Sequence, residues 1–399
     1  MRSSIRLRDI HRARSNQARL RVRTLRRIKL RAVKALRSKV AFRPVVVRTW
    51  SGEGVGHALC VDRPTFAPKV LCFATNRDET LSFLHMLFSR IETALAAPKR
   101  LPRRRTGKRK DLPRIGGYID FSQIQYIATG AAVVLTALYD RVRKLSGRVP
   151  PTINLHQWSE AAFSTLFELG FFATLGHVVP SEVLYTQEGH VRTMFIMTGE
   201  NSAELRQACE RVLELSRFID EEEPLREDVR LALNSALGEA MSNVAAHAYD
   251  ETESEALTLK HWWVSASADK ERRVLRVVAY DQGASIPVTL PKRSWAAILR
   301  PSALVSTLVG GHVVPYPMDA DYIEFAMGEG KTQTGEPGRG EGLPQMRDLV
   351  KICGSGSLTI LSRGGICCYR PEEKIVSIPL RTPIKGTLLE WEMHLPRAM

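Results

Sequence analysis

Residues 225–250 read LREDVRLALNSALGEAMSNVAAHAYD, and this stretch sets the expectation for the whole chain. Val229, Leu233, Ala236, Leu237, Ala240 and Val244 recur at three- and four-residue steps, the spacing of an amphipathic helix. Ala, Leu, Glu and Met dominate, so intrinsic propensity agrees with the pattern. Pro224 stands just before the stretch, and Glu227 and Asp228 suit the positive end of a helix dipole. Glu239, Asn243 and His247 sit four apart, so they share one face along the edge of the apolar stripe. A carboxylate and an amide there face a semi-buried space in which a ligand can sit. His247 falls nearer the middle of the stripe and reads as a packed structural histidine. The stretch by itself also fits an ordinary core helix with an exposed acid and amide.

GEAMSNVAAHAY, within that stretch, resembles the N box of the ATP-binding fold shared by gyrase B subunits, heat-shock chaperones, sensor histidine kinases and anti-sigma serine kinases (the GHKL, or Bergerat, family). The anti-sigma kinase form, Glu-x-x-x-Asn-x-x-x-His-Ala-Tyr, is the nearest in pattern. The resemblance implies that Asn243 coordinates a Mg2+ ion bridging ATP phosphates. It also implies that Glu239 orients or deprotonates the attacking nucleophile.

Three later segments extend the likeness. RRVLRVVAY reads as a strand ending in Asp281-Gln282-Gly283-Ala284-Ser285-Ile286. A carboxylate at the strand's end can reach an adenine amino group, while Gly283 lets the backbone turn past the ring. This resembles the family's Asp-x-Gly-x-Gly-Ile box, with Ser285 in place of the second glycine. Residues 288–337 are long for a connection and end in GEGKTQTGEPG. The family carries a mobile lid here, which would bring Lys331, Thr332 and Arg339 to the γ-phosphate; the segment also fits an unrelated insertion. Gly338, Gly340 and Gly342 then alternate up to Leu343 and a helix, PQMRDLVKIC, giving bare amides at a positive dipole end. This resembles the Gly-x-Gly-x-Gly-Leu box. Glu341 replaces its usual Leu, an acid that either weakens phosphate binding or positions a metal. Gly386-Thr387 resembles the last family element, before the terminal strand GTLLEWEMHLP.

Upstream, strands and helices alternate in a βαβα pattern. PVVVRTW, PKVLCFAT, Tyr118–Phe121 and INLH read as strands, and SGEGVGHAL as a turn between strands. Helices are expected from Asn76 or Asp78 to Ala97, through GAAVVLTALYDRVRKL, and through AAFSTLFELGFF. IDFSQIQYIATGAAVVLTALYDR resembles the STAS domain of anti-sigma-factor antagonists. The family's phospho-accepting turn aligns with Ile127, Ala128, Thr129 and Gly130, where only Thr129 keeps a hydroxyl.

The expected architecture is therefore α/β (α+β). A basic arm (1–43) precedes a STAS-like α/β domain (44–184) carrying a basic loop at 99–110. A connecting segment (185–224), with one strand candidate in VRTMFIMT and a helix to Arg217, leads into an α/β sandwich of the Bergerat type (225–399).

Charge and composition bound the partners. The net charge is +16, yet residues 1–39 hold fifteen Lys or Arg against Asp9 alone, and Lys99–Lys110 holds eight more. The remainder is mildly acidic. The basic arm suits nucleic-acid phosphates or an acidic partner, and equally an organellar transit peptide or a solvated tail. No apolar run approaches the ~18–20 residues of a membrane span. The N-terminus lacks the apolar core of a signal peptide. Six cysteines show neither a C-x-x-C pair nor metal-ligand spacing, which reads as reduced thiols in a cytoplasmic protein. Three functions follow: an ATP-hydrolysing or ATP-gated regulator coupled to the STAS-like domain and a protein partner; a serine/threonine kinase of the anti-sigma type; or a nucleic-acid-associated ATPase of a defence or mobile-element system, bound through 1–39 and 99–110. A homodimer is compatible with each.

Overall fold

A computed structural model describes residues 44–51, 54–96, 114–115, 118–147, 152–176, 185–219, 226–247, 259, 261–290, 308–309, 312–328 and 342–396, a few side chains excepted. The basic arm and the basic loop lie outside these residues. So do the helix candidate within the long connection, SWAAILR (294–300), and the glycine-rich part of the expected lid.

The described chain divides into two compact units. The smaller holds the described residues within 44–47, 57–64 and 114–118, and the larger those within 48–56, 65–96 and 119–396. The chain opens with β1 (Val45–Ser51) and β2 (Gly54–Cys60). Gly54 and Gly56, expected in a turn, lie in β2. Then come β3 (Thr65–Phe66), β4 (Val70–Leu71) and helix α1 (Arg77–Ala96). Next are β5 (Arg114–Ile115), β6 (Ile119–Asp120), β7 (Tyr126–Ile127), α2 (Thr129–Ser146) and β8 (Thr152–Ile153). In the smaller unit β2 and β5 pair in parallel, Leu59 opposite Arg114.

In the larger unit β3 pairs β6 and β4 pairs β7, both in parallel. These ladders are two residues long, shorter than PKVLCFAT suggested. The reason is local: Cys72 N–H donates to Thr80 Oγ1 at 3.0 Å, so a side chain of α1 takes the bond a longer ladder would need. Likewise INLH forms only Thr152–Ile153 before a 3-10 turn at Leu155–Gln157.

Helices α3 (Glu160–Glu168) and α4 (Phe171–Thr174) follow, then β9 (Tyr185–Glu188), β10 (Val191–Met194), β11 (Met197–Gly199), α5 (Ser202–Ile219) and α6 (Glu227–His247). The hairpin β12 (Trp262–Asp269) and β13 (Val274–Asp281) leads to the short α7 (Ile286–Thr289). Beyond β14 (Leu308–Val309) and β15 (His312–Val313) come α8 (Asp319–Gly328), α9 (Gly342–Cys353), β16 (Gly356–Tyr369) and β17 (Val376–His394).

A seven-stranded antiparallel sheet organises the unit, in the order β16-β17-β13-β12-β10-β9, with β11 also paired to β12. The segment 185–224, expected as a connection, thus supplies three of its strands. VRTMFIMT forms two of them, β10 and β11, each antiparallel to β12.

Strand alternation makes both faces of this sheet apolar, which requires a helical layer on each. Val264, Val277 and Trp391 pack with α5, α6, α8 and α9. Trp263, Tyr280 and Leu388 pack with α1 to α4. Helices α1 to α4 therefore form the second layer on the sheet, within the larger unit. Helix α6 buries Val229, Leu233, Ala236, Leu237 and Ala240, the stripe its periodicity predicted.

Glu390 of β17 points at the second layer. A Cβ on Gly130, in the first turn of α2, would overlap its Oε1 and come within 2.8 Å of its Cδ. Burial raises the Glu390 carboxyl to about 7. The folded state therefore keeps a proton that the unfolded chain releases near its ordinary value, and stability falls as pH rises toward 7. Glu390→Gln is expected to stabilise the protein at pH 8 by about 2 kcal/mol, with the gain fading toward pH 5. Thermal unfolding of both proteins across that range checks it; a gain independent of pH would contradict it.

Candidate functional site

The site is assembled on the α6 and α9 face of the sheet. Odd-numbered residues of β13 and β17 face that layer, as Leu275, Val277, Leu389 and Trp391 show. By the same alternation Asp281 and Thr387 face it too, and they are direct partners in the β13–β17 register. On β16, Leu358 and Ile360 belong to that core, so Ser362 shares the face.

Asp281 is buried, and its Oδ1 accepts from Gly283 N–H at 2.8 Å, which closes the turn expected at the end of the strand. Loss of water raises its carboxyl to about 7; the Gly283 N–H, the Lys385 charge and the Thr387 N–H pull it back down. A buried carboxylate in that range takes up or releases a proton when a neighbour arrives.

Hydroxyls tie the adjoining strand ends together. Ser362 and Thr387 share a hydrogen bond at 2.9 Å. Ile286 N–H, opening α7, donates to Ser362 Oγ at 2.9 Å. Ser285, the departure from the family glycine, donates to the Gly386 carbonyl at 3.1 Å. Sequence reading missed Ser362; its only signal was sharing the parity of Leu358 and Ile360.

Gly386 has φ of +76°. A Cβ there would overlap the Asp281 carbonyl oxygen and lie 2.7 Å from both Asp281 C and Gln282 Cα. Glycine is thus required where β17 crosses the Asp281 turn, which gives the Gly386-Thr387 pair a physical reason.

On the helical side, Glu239 is half-buried at the edge of the α6 stripe. Helices α6 and α9 are joined by Ser235 Oγ donating to Gln345 Oε1 at 2.8 Å. Gly342 and Leu343 form the first turn of α9, and Leu343 and Ile286 pack against the same core cluster. Asn243 lies in α6, with its side chain outside the described residues, as are Lys331, Gly338, Arg339 and Gly340. The structure therefore brings Asp281, Gly283 and Thr387 to one strand end, and places Glu239, Gly342 and Leu343 on two packed helices covering that face.

Asp281 is a desolvated acceptor beside backbone that only glycine permits, a chemistry compatible with a flat base carrying an amino group. Among the described residues no group of three or more His, Cys, Asp or Glu could hold a metal ion. Mg2+ bound to phosphates needs few protein ligands, since it keeps several waters. Also among the described residues, no helix is long and apolar enough to cross a membrane. No protein-family model matches the chain, and no curated protein matches it.

Proposed function

We propose that residues 225–399 bind Mg2+-ATP and that the protein is an ATP-hydrolysing or ATP-gated regulator acting on a protein partner. The observation that carries this reading is the Asp281–Thr387 register, closed over by Gly386, on the sheet face that α6 and α9 cover. The order of elements along the chain supports it: α6, the Asp281-tipped β13, a long connection, the Gly342-initiated α9 and the β16–β17 hairpin.

In this reading Asp281 accepts from the adenine amino group. Asn243 would hold Mg2+, which would neutralise phosphate charge as the γ-phosphoryl group is transferred. Lys331, Arg339 and the amides of Gly338, Gly340 and Gly342 neutralise phosphate charge, with Leu343 packing the base of α9. For hydrolysis, Glu239 takes a proton from water as the water oxygen bonds to the γ-phosphorus. The bond from that phosphorus to the β–γ bridging oxygen breaks, giving ADP and phosphate.

Calorimetry with Mg2+-ATP tests the assignment. Asn243→Ala is expected to weaken binding at least tenfold, whereas Glu239→Ala binds normally and turns over at least a hundredfold more slowly. Unchanged affinity in the Asn243 variant would defeat the Mg2+ role. The Glu-x-x-x-Asn-x-x-x-His-Ala-Tyr pattern favours kinase activity as the second reading. Labelled ATP separates the two: free phosphate marks hydrolysis, and label on Thr129 or on another protein marks transfer.

A further inference from the structure

Gln282 follows Asp281, yet its side chain serves the opposite layer. It is buried, and its Oε1 accepts from Arg141 Nη1 of α2 at 3.3 Å. Arg141 is itself buried and ion-paired with Glu92 of α1, at 2.8 Å to Oε1. Gln282 Nε2 is buried with no hydrogen-bond partner among the described residues. A buried orphan amide costs free energy, so burial for stability alone does not explain a glutamine here.

Neighbouring residues of α2 grip the same end of the sheet. Asp140 accepts from Trp263 Nε1 of β12 at 3.0 Å. Lys144 donates to Thr198 Oγ1 of β11 at 3.2 Å. Trp263 pairs with Tyr280, one residue before Asp281. The C-terminal half of α2 is therefore anchored to β11, to β12 and to the turn after β13.

We infer that Arg141 is a positioning residue: by holding Gln282 from the STAS-like layer, it fixes the turn that presents Asp281 to nucleotide on the other face. The inference deepens the nucleotide reading and rests on it. It makes α2 the element through which the two layers sense each other. A change in the α1–α2 layer that withdraws Arg141 frees the Gln282 side chain and loosens the Asp281 turn. Reciprocally, nucleotide that fixes the turn favours the Arg141-bound arrangement.

The test titrates Mg2+-ATP into the full chain and follows thermal unfolding alongside. Gln282→Leu is expected to lower affinity about tenfold with the unfolding temperature little changed, because it removes the orphan amide but also the Gln282 acceptor of Arg141 Nη1. Gln282→Glu, which keeps an acceptor for Arg141, stays within about threefold of wild type. Arg141→Lys, which loses the guanidinium fork, matches Gln282→Leu. The double variant is no weaker than either single one, about tenfold rather than a hundredfold, because both break the same link. Multiplying effects in the double variant, or a Gln282→Leu affinity within twofold of wild type, overturns the inference. If Arg141→Lys fails to fold, the Gln282 variants decide alone. Absence of Mg2+-ATP binding by the wild type instead sinks the nucleotide reading and this inference with it.

Discussion

Asp281→Asn is expected to stabilise the protein at pH 8 while reducing its ATP affinity about a hundredfold, or about 2.7 kcal/mol. The two effects have one source. Burial raises the Asp281 carboxyl to about 7, against an ordinary value of 3.8. Below pH 4 the folded and unfolded states are both protonated. Between about pH 4 and pH 7 the folded state retains a proton that the unfolded chain has lost, so stability falls as pH rises through that window. Above pH 7 the native site carries an ionised, desolvated carboxylate, at a cost of up to about 4 kcal/mol. An amide never ionises and escapes that cost, so the variant's advantage grows from pH 4 to pH 7 and then levels off.

Binding moves the other way. Gly283 N–H holds Oδ1 at 2.8 Å, and in the nucleotide reading the ionised carboxylate also accepts from the adenine amino group. In the variant, the amide oxygen must keep Gly283, which turns the NH2 toward the adenine NH2. Two donors then face each other where a charge-assisted bond stood, and leaving such groups unpaired costs about 1–3 kcal/mol. Wild-type affinity should accordingly weaken as pH falls below about 7, because protonated Asp281 is itself a poor acceptor; the Asp281→Asn protein lacks that dependence. Calorimetry at pH 6 and pH 8, with unfolding curves at both, checks the pair of effects. An Asn variant that loses stability at pH 8, or binds ATP as wild type does, would remove Asp281 from the adenine site. Such opposition between stability and activity is common where a site holds an ionisable group away from water.

Local signals made some of this visible in the sequence and tertiary ones hid the rest. The α6 stripe could be read because Val229, Leu233 and Leu237 repeat with the helix period, and all three are buried. The Asp281 turn could be read because Asp-x-Gly is short-range chemistry, realised as the Asp281–Gly283 bond. Strands β10 and β11 were harder to place. Their partner β12 begins at Trp262, and nothing near Val191 announces a pairing so distant in sequence. The double-faced sheet was equally hidden, although Trp262 and Trp263 are adjacent and both buried, on opposite faces. Adjacent buried aromatics on a strand are the mark of a sheet covered on both sides. Arg141 sat in a helix read as STAS-like, and its 141-residue separation from Gln282 put that bond beyond any pattern in the chain.

Gly386→Ala is expected to be among the most damaging single substitutions in the C-terminal hairpin. Two costs combine. A side chain at φ +76° is strained by about 1 kcal/mol or more. The new Cβ would also overlap the Asp281 carbonyl oxygen and press on Asp281 C and Gln282 Cα, each at 2.7 Å. Those are backbone atoms, and β13 cannot recede because it is hydrogen-bonded to β12 on one side and β17 on the other. Relief must come from breaking register near Thr387, which also disrupts the Ser362–Thr387 bond and the seat of Asp281. A loss of about 4 kcal/mol or more follows, a large share of the 5–15 kcal/mol typical of a folded protein. Gly354→Ala isolates the strain alone. Gly354 has φ of +78°, and a Cβ there meets nothing within 4 Å, so its cost stays near 1 kcal/mol. Denaturant unfolding of the two variants reads the difference directly. Equal costs would mean that β17 does not press on the Asp281 turn, and the closed geometry on which the nucleotide proposal rests would fall with it.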